Sequence, residues 1–246
     1  MTAVASPARR LVLVTGTGTG IGKTHLAEAL LLALPRDARV VGLKPVESGV
    51  EEGALSDADR LARASTFHVQ HFRIALRTPV APTLAARREG VAIDAGRLQN
   101  EVARVRDLAD VTVVELPGGL FSPFVDRTLN LDFGAALRPD ATLLVAPDRL
   151  GVIHDVMATW LATRARGFDL HALALVAPEQ PDASSGTNAE EIAPLVPDLP
   201  LVTVPRGSPD ALALGAELRR LVTALVRLPA AGDPARATAP GRPAPR

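Results

Sequence analysis

The chain of 246 residues contains no cysteine and no tyrosine, and it has only one tryptophan and six phenylalanines. The absence of cysteine excludes disulfides, cysteine-ligated zinc and thiol nucleophiles. Because aromatic residues are so few, the core must be built from aliphatic side chains, and 47% of the residues are hydrophobic. Acidic and basic residues balance at 27 each, so no net charge favours nucleic acid or an acidic membrane surface as a partner.

Long apolar runs are also missing, and none reaches the length that spans a membrane. Residues 1–10 are short and are followed directly by a strand pattern, which is not typical of a secretory signal. We therefore expect a cytoplasmic protein that binds neither membranes nor nucleic acid.

Lysine is the scarcest of the common charged residues. Only Lys23 and Lys44 occur among 27 basic residues, and the others are all arginine. Both lysines lie in glycine-containing motifs, which suggests positions that need a compact ammonium group and not a planar guanidinium group.

Short apolar runs alternate with amphipathic stretches along the chain. Strands are predicted at residues 10–15, 40–43, 111–115, 142–146, 171–177 and 201–204. Helices are predicted at residues 22–34, 56–64, 94–108, 151–166, from 188 onward, and 210–227. This alternation indicates an α/β fold with a mostly parallel sheet flanked by helices on both faces. We predict one domain at residues 1–228, followed by a disordered tail at 229–246 that is rich in proline, alanine and arginine.

A glycine-rich segment joins the first predicted strand to the first predicted helix. It runs from Gly16 to Thr24 and ends in Gly22-Lys23-Thr24. Backbone N–H groups in such a loop converge on phosphate oxygens, the lysine contacts the β- and γ-phosphates, and the threonine hydroxyl binds Mg²⁺. Five residues separate Gly16 from Gly22, one more than in the standard phosphate loop. The segment still predicts a P-loop nucleotide site.

Carboxylates that could hold the magnesium ion are expected at strand ends on the same sheet edge as this loop. Glu115 ends an apolar strand and precedes Pro117-Gly118-Gly119, while Asp57 begins a helix after the strand that carries Lys44. We expect the Lys44 strand to neighbour the first strand. A solvated strand end for Glu115, a helix-terminal acid for Asp57 and a surface lysine for Lys44 are the simpler alternatives.

Together these motifs resemble the dethiobiotin synthetase family over roughly residues 11–226. The motifs that carry the resemblance are Gly16–Thr24, with the five-residue spacing typical of the family, Lys44-Pro45-Val46-Glu47-Ser48-Gly49, Ser56-Asp57-Ala58, the proline-containing loop 79–82, Val114–Gly119 and Leu150–Ile153. The resemblance implies a P-loop NTPase-like, homodimeric ligase. Its substrates would be Mg-ATP, CO₂ and 7,8-diaminononanoate, which it would close to the cyclic urea of dethiobiotin through a carbamate and a carbamic–phosphoric anhydride.

The resemblance also implies roles for individual residues. Lys44 and Lys23 would be catalytic, and Thr24, Asp57 and Glu115 would hold Mg²⁺. Nucleotide contacts would come from Gly20, Ile21, Gly22, Lys23, Thr24, His25, Asp57, Glu115, Gly118, Val204, Pro205 and Arg206. Substrate contacts would come from Thr19, Lys44, Ser48, Gly119, Leu150 and Gly151, with the segment from Leu150 to His154 at the dimer interface.

Two segments depart from the family pattern. Leu116-Pro117 replaces the usual Gly-Ala after the strand glutamate, and Pro178-Glu179 replaces an Asn-Asp pair that often recognises adenine. Because no side-chain amide remains at the second segment, we predict relaxed nucleotide choice.

Three alternatives differ in function. A partition-type ATPase would carry an additional lysine early in the loop, where this chain has Gly18. A cobyrinate-type amide synthetase would need a glutaminase domain with a nucleophilic cysteine, which this chain lacks. A divergent nucleotide-binding relative, with a different substrate or a non-catalytic switch role, remains open because of the two departures.

Overall fold

The computed structural model describes residues 9–207. Its strands are β1 (Arg10–Gly16), β2 (Val40–Leu43), β3 (Val46–Ser48), β4 (Ile74–Leu76), β5 (Val111–Glu115), β6 (Pro123–Val125), β7 (Thr128–Leu129), β8 (Ala141–Pro147), β9 (Ala172–Val176) and β10 (Leu201–Val204). Six of them form a parallel sheet in the order β10-β9-β8-β1-β5-β2. This sheet confirms the predicted α/β class. The predicted helix at 210–227 and the tail at 229–246 lie outside the described residues.

Seven α-helices occur in the described part of the chain. They are α1 (Lys23–Ala33), α2 (Asp57–Ala64), α3 (Pro82–Glu89), α4 (Ala95–Arg106), α5 (Asn130–Ala136), α6 (Val152–Ala165) and α7 (Asn188–Ile192). Within residues 9–207, no helix is long and apolar enough to cross a membrane.

Helices cover both faces of the sheet, and for this reason its central strands are apolar along their whole length. Alternate residues of β1 point to opposite faces: Val12 and Val14 pack with α1 and α2, whereas Leu11 and Leu13 pack with α4 and α5. A third apolar cluster joins α6 and α7 to β8 and β9. The core is aliphatic as predicted, with one stacked aromatic pair, Phe124 and Phe133, among the described residues.

Helix α2 begins where its sequence predicts. The Ser56 side chain accepts a hydrogen bond from the Asp59 backbone N–H at 3.1 Å, and the Asp59 carboxylate accepts one from the Ser56 backbone N–H at 3.3 Å. This reciprocal capping box satisfies donors that the first helical turn leaves free. The cap fixes the position of Asp57, the first residue of the helix.

The expectation that the Lys44 strand neighbours the first strand is wrong. Strand β2 pairs with β5, and β5 lies between β2 and β1. All three strands were predicted, but apolar strands buried on both faces carry no pattern that specifies the order of their neighbours.

Several short elements lie in segments for which no regular structure was predicted. Strands β3 and β4 form a parallel pair, and β6 and β7 form an antiparallel hairpin. Helix α3 begins at Pro82, the last residue of the predicted proline-containing loop, where proline takes the first helical position. These elements border the carboxyl edge of the main sheet, where the site lies.

Candidate functional site

The glycine-rich loop leaves β1 at Gly16 and enters α1 at Lys23, as predicted. Gly20 and Gly22 have positive φ angles of 70° and 95°, which residues other than glycine rarely adopt. At Gly22 there is also no room, because a Cβ atom would lie 2.6 Å from Cγ1 of Val176. The loop conformation therefore depends on glycine.

Lys23 folds back over this loop. Its Nζ donates a hydrogen bond to the Gly18 carbonyl at 2.6 Å, and the residue is 6% exposed. Burial lowers the pKa of Lys23 to about 8, although the nearby Glu115 carboxylate acts in the opposite direction. The ammonium is thus held inside the loop, where phosphate oxygens would be bound.

Lys44, Asp57, Glu115 and Thr24 meet at the carboxyl ends of neighbouring strands. Lys44 Nζ donates to the Asp57 carboxylate and, at 2.9 Å, to Glu115 Oε1. The Thr24 hydroxyl donates to the same Glu115 oxygen at 3.0 Å. The sheet order brings the strands together, because Glu115 is in register with Val14 of β1 and Val114 with Leu43 of β2.

The charges in this cluster influence one another. Burial alone would lower the pKa of Lys44, but the Glu115 and Asp57 carboxylates raise it above its ordinary value. Burial acts to raise the pKa of Asp57, but the Lys44 ammonium holds it below its usual range. Burial raises the pKa of Glu115, which is 1% exposed. With Lys23, the cluster contains two lysines and two carboxyl groups.

Glu47 is a member of the site that sequence reasoning missed. Its two carboxylate oxygens accept hydrogen bonds from the backbone N–H groups of Asp57 at 2.7 Å and Ala58 at 3.2 Å. A carboxylate at a helix N-terminus satisfies free donors and complements the helix dipole. Glu47 therefore ties β3 to the start of α2, and its place in the Lys44–Gly49 motif was the available signal.

A cleft with a volume of about 640 Å³ contains the cluster. The predicted site residues that line it are Thr19, Gly20, Ile21, Gly22, Lys23, Thr24, His25, Lys44, Ser48, Asp57, Glu115, Gly118 and Arg206. The lining residues with no predicted site role are Glu47, Arg60, Pro79, Val80, Ala81, Pro82, Pro117, Ser122, Glu179 and Gly207.

The other predicted residues do not line the cleft. Gly119 lies behind its wall, where a Cβ atom would come within 3.1 Å of the Thr17 carbonyl. Val204 is buried in β10, and the carbonyl of Pro205 lies 3.1 Å from His25 Nε2. Leu150 and Gly151 are exposed at the start of α6.

The end of the cleft beyond β9 and β10 is formed by an ion pair. Arg206 Nη1 donates to Glu179 Oε1 at 2.8 Å, and Arg206 Nε donates to the Ala177 carbonyl at 2.9 Å. This end lies on the opposite side of the phosphate loop from the carboxylates of β5 and α2. A nucleotide with its phosphates on the loop and at the carboxylates would extend its base toward the Arg206–Glu179 pair.

The oxygen atoms around Thr24 suit a magnesium ion, because Mg²⁺ prefers carboxylate and hydroxyl oxygens. Glu115 Oε2 is buried and has no hydrogen-bond partner among the described residues, an arrangement that is costly unless something binds it. Across residues 9–207 there is no group of three or more histidine, cysteine, aspartate or glutamate side chains that could hold a metal.

Comparison with known proteins gives matches over most of the chain. A family model described as an AAA domain matches residues 10–206. The ATP-dependent dethiobiotin synthetase BioD of Caulobacter sp. (strain K31) is 41% identical over 217 residues, which cover 84% of this chain and 93% of that protein. The enzyme of the same name from Anaeromyxobacter dehalogenans (strain 2CP-C) is 37% identical over 219 residues, covering 85% of this chain and 97% of that protein.

A more distant likeness supports the fold alone. The septum site-determining protein MinD from Pyrococcus horikoshii OT3, solved with Mg-ADP, has a TM-score of 0.54 at 16% identity. The match covers 88% of this chain and 95% of the solved one. The fold is therefore of the P-loop NTPase type, as predicted.

Proposed function

Because this chain belongs to the ATP-dependent dethiobiotin synthetase family, we propose that it carboxylates 7,8-diaminononanoate with CO₂ and closes the product to dethiobiotin, converting ATP to ADP and phosphate. The observation that carries the proposal is the convergence of Lys23, Lys44, Asp57 and Glu115 in the cleft beside the phosphate loop. A nucleotide site alone would not require the Lys44 cluster.

The reaction would proceed in three bond-forming steps. One substrate amine attacks CO₂ and loses a proton to give a carbamate. A carbamate oxygen then attacks the γ-phosphorus of ATP, breaking its bond to the ADP oxygen and forming a carbamic–phosphoric anhydride. The second amine attacks the carbonyl carbon, expels inorganic phosphate and closes the ring. No side-chain nucleophile is needed, which agrees with a chain that has no cysteine.

Lys23 and Lys44 would stabilise the charge on the transferring phosphoryl group. Both ammonium groups are held by hydrogen bonds inside the cleft, and fixed cations in a partly dry site stabilise developing charge without reorganising. Lys44, on the side of Asp57 and Glu115, would face the carbamate, whereas Lys23 would contact the β- and γ-phosphates.

Thr24, Asp57 and Glu115 would hold the magnesium ion. The buried Glu115 Oε2 without a described partner is the strongest support for this assignment. The ion, when bound with ATP, would neutralise phosphate charge. Within the cluster, two lysines already balance two carboxyl groups, so the charge of the Mg²⁺ ion would remain available to offset that of the ATP phosphates.

The cleft divides into two halves around this cluster. The nucleotide would contact the loop from Gly20 to His25, Gly118 and Arg206, which line the cleft, whereas Val204 and Pro205 would support Arg206 from behind. The diamine would lie near Thr19 and Ser48, with Gly119 supporting the wall from behind. A cytoplasmic location, where ATP and Mg²⁺ are abundant, is part of this proposal.

We also propose a homodimer that uses the exposed face at the start of α6. Leu150 is 75% exposed and Leu161 56% exposed. Leu161 follows the helical spacing of one face with the partly buried Ile153 and Met157, and Leu150 lies just before the helix. A second copy packed there would cover this apolar stripe and bring Leu150 and Gly151 toward the partner's substrate.

Leu150→Asp is expected to weaken dimerisation about tenfold or more, because a charge would be buried in an apolar interface. Sedimentation velocity over a range of protein concentrations measures this. Leu108→Asp is the matched control, since Leu108 is also exposed but follows α4, on another part of the chain. A wild-type protein that stays monomeric at micromolar concentration contradicts the proposed dimer.

Nucleotide choice should be relaxed, because Arg206 and Glu179 bond to each other and residues 178–179 offer no side-chain amide to a base. We expect turnover with ATP, CTP and GTP to agree within about tenfold, since a site without specific polar contacts discriminates weakly. Initial rates at matched concentrations measure this. Pro178→Asn, which restores the amide at the first position of the pair, should increase the preference for ATP, and a wild-type protein active with ATP alone contradicts the prediction.

The main test is direct. The purified protein is incubated with 7,8-diaminononanoate, bicarbonate, Mg²⁺ and ATP, and dethiobiotin is sought by mass spectrometry together with the release of phosphate. Product that depends on all four components supports the proposal. Nucleotide binding without product would favour the alternative, a divergent relative with another substrate or a binding role.

A further inference from the structure

Residues 116–122, which follow β5, form one wall of the cleft: Pro117, Gly118 and Ser122 line the cleft, and Gly119 lies behind them, against the phosphate loop. The Leu120 backbone N–H donates to the Gly16 carbonyl at 2.8 Å. A Cβ atom on Gly119 would lie only 3.1 Å from the Thr17 carbonyl oxygen. A small displacement of this wall would therefore alter the width of the cleft or push on the phosphate loop.

Asn130, the first residue of α5, binds this wall from behind. Its Nδ2 donates to the carbonyls of Pro117 and, at 2.8 Å, of Gly119. Its backbone N–H donates to the Ser122 carbonyl at 2.9 Å. One residue thus binds three carbonyl groups of the wall.

The amide nitrogen is the part of the Asn130 side chain that is engaged. The residue is fully buried, and its Oδ1 has no hydrogen-bond partner among the described residues. Burial of a polar side chain is unfavourable unless it is hydrogen-bonded, so the two bonds from Nδ2 are what compensate for placing an amide there.

Proline at position 117 limits how this segment can be anchored. Pro117 has no backbone N–H, so it cannot be anchored as a donor. Its carbonyl and that of Gly119 point to the same amide nitrogen. Asn130 therefore restrains the segment in which this chain departs from its family.

We propose that Asn130 is a positioning residue for the synthetase reaction. It touches neither substrate nor reacting atoms, but it holds Pro117–Gly119 against the phosphate loop and so sets the width of the cleft that receives the nucleotide and the diamine. The inference rests on the proposed function for the identity of the diamine. The effect of losing Asn130 should fall on binding more than on the chemical step.

Asn130→Asp tests the proposal, because it keeps the shape of the side chain while placing an oxygen against two carbonyl oxygens. We expect KM for the diamine and Kd for Mg-ADP to rise about tenfold, with kcat changed less than about threefold. Hydrogen exchange in the peptide that contains residues 116–122 should become faster. Asn130→Ala, which removes the donor without adding charge, serves if the aspartate variant does not fold.

Asp140→Asn is the matched control. The Asp140 carboxylate accepts hydrogen bonds from the Leu11 backbone N–H at 2.8 Å and from Arg10 and Arg106, at the opposite edge of the sheet. The Asp140→Asn substitution should lower the unfolding temperature without altering KM, Kd or hydrogen exchange at residues 116–122.

The inference is supported only if exchange at 116–122 accelerates and binding weakens together. Unchanged exchange, or faster exchange with unchanged KM and Kd, overturns it and leaves Asn130 a structural residue like Asp140. If the wild-type protein forms no dethiobiotin, the proposed function fails, and the inference is then decided by exchange and by calorimetric Kd for Mg-ADP.

Discussion

Lys44→Gln is expected to lower kcat for dethiobiotin formation by about 100- to 1000-fold, the loss typical of removing one fixed group that stabilises transition-state charge. Lys44 Nζ lies between the Asp57 and Glu115 carboxylates, and glutamine keeps most of the length but not the charge. The measurement is product formation by mass spectrometry at saturating ATP and diamine. Nucleotide binding should fall much less, because Lys23 remains.

The fold should survive this substitution. The pKa of Glu115 is already raised by burial, so without the Lys44 ammonium the carboxyl group can take up a proton. Thermal unfolding followed by circular dichroism checks this. Lys44→Arg is the matched variant. It keeps the positive charge, but its planar guanidinium does not have the shape of the compact ammonium that lies between the two carboxylates. A Lys44→Gln protein with more than a tenth of wild-type kcat would contradict a catalytic role.

Glu115→Gln is expected to lower activity about 100-fold and to abolish most of the effect of Mg²⁺ on nucleotide binding. Glu115 is the buried carboxylate that accepts from both Thr24 and Lys44, and an amide is a poorer ligand for a hard cation. Calorimetric titration with ADP, with and without Mg²⁺, isolates the effect on the metal from that on catalysis.

Glu101→Gln serves as the control for loss of a glutamate charge. Glu101 lies on α4, where its carboxylate binds Arg104 and the Phe72 backbone N–H, and it does not line the cleft. The Glu101→Gln substitution should leave the effect of Mg²⁺ on ADP binding unchanged. If Glu115→Gln also binds Mg-ADP as the wild type does, Glu115 is not a ligand of the ion.

The phosphate loop could be predicted from sequence because its determinants are local. Glycines at positions that need positive φ, the lysine and the threonine all lie within nine residues, and a strand and a helix flank them. The meeting of Lys44, Asp57 and Glu115 was also predictable in outline, since parallel strands present their carboxyl ends at one edge of the sheet. For both features, the residue type and its place in an element carried the information.

Other features depend on tertiary contacts that no local pattern encodes. The pairing of β2 with β5 instead of β1 is a choice among equally apolar strands. Glu47 and Asn130 form hydrogen bonds with backbone groups of other segments. Because every residue has backbone groups, the sequence does not identify these partners. Proline at position 117 indicated an altered loop. The sequence of that loop did not indicate that an asparagine 13 residues later would donate a hydrogen bond to the proline carbonyl.

The placement of Lys44 between Asp57 and Glu115 also constrains how this chain can diverge. The Lys44 ammonium pairs with both carboxyl groups at once. A substitution at one of the three positions therefore changes what the other two residues contribute to activity, and the effects of separate substitutions should not add. We expect single exchanges at these positions to be short-lived in descendant lineages. A lineage that abandons the reaction should instead lose the three together, which makes joint absence of the trio a marker for relatives that have left this chemistry.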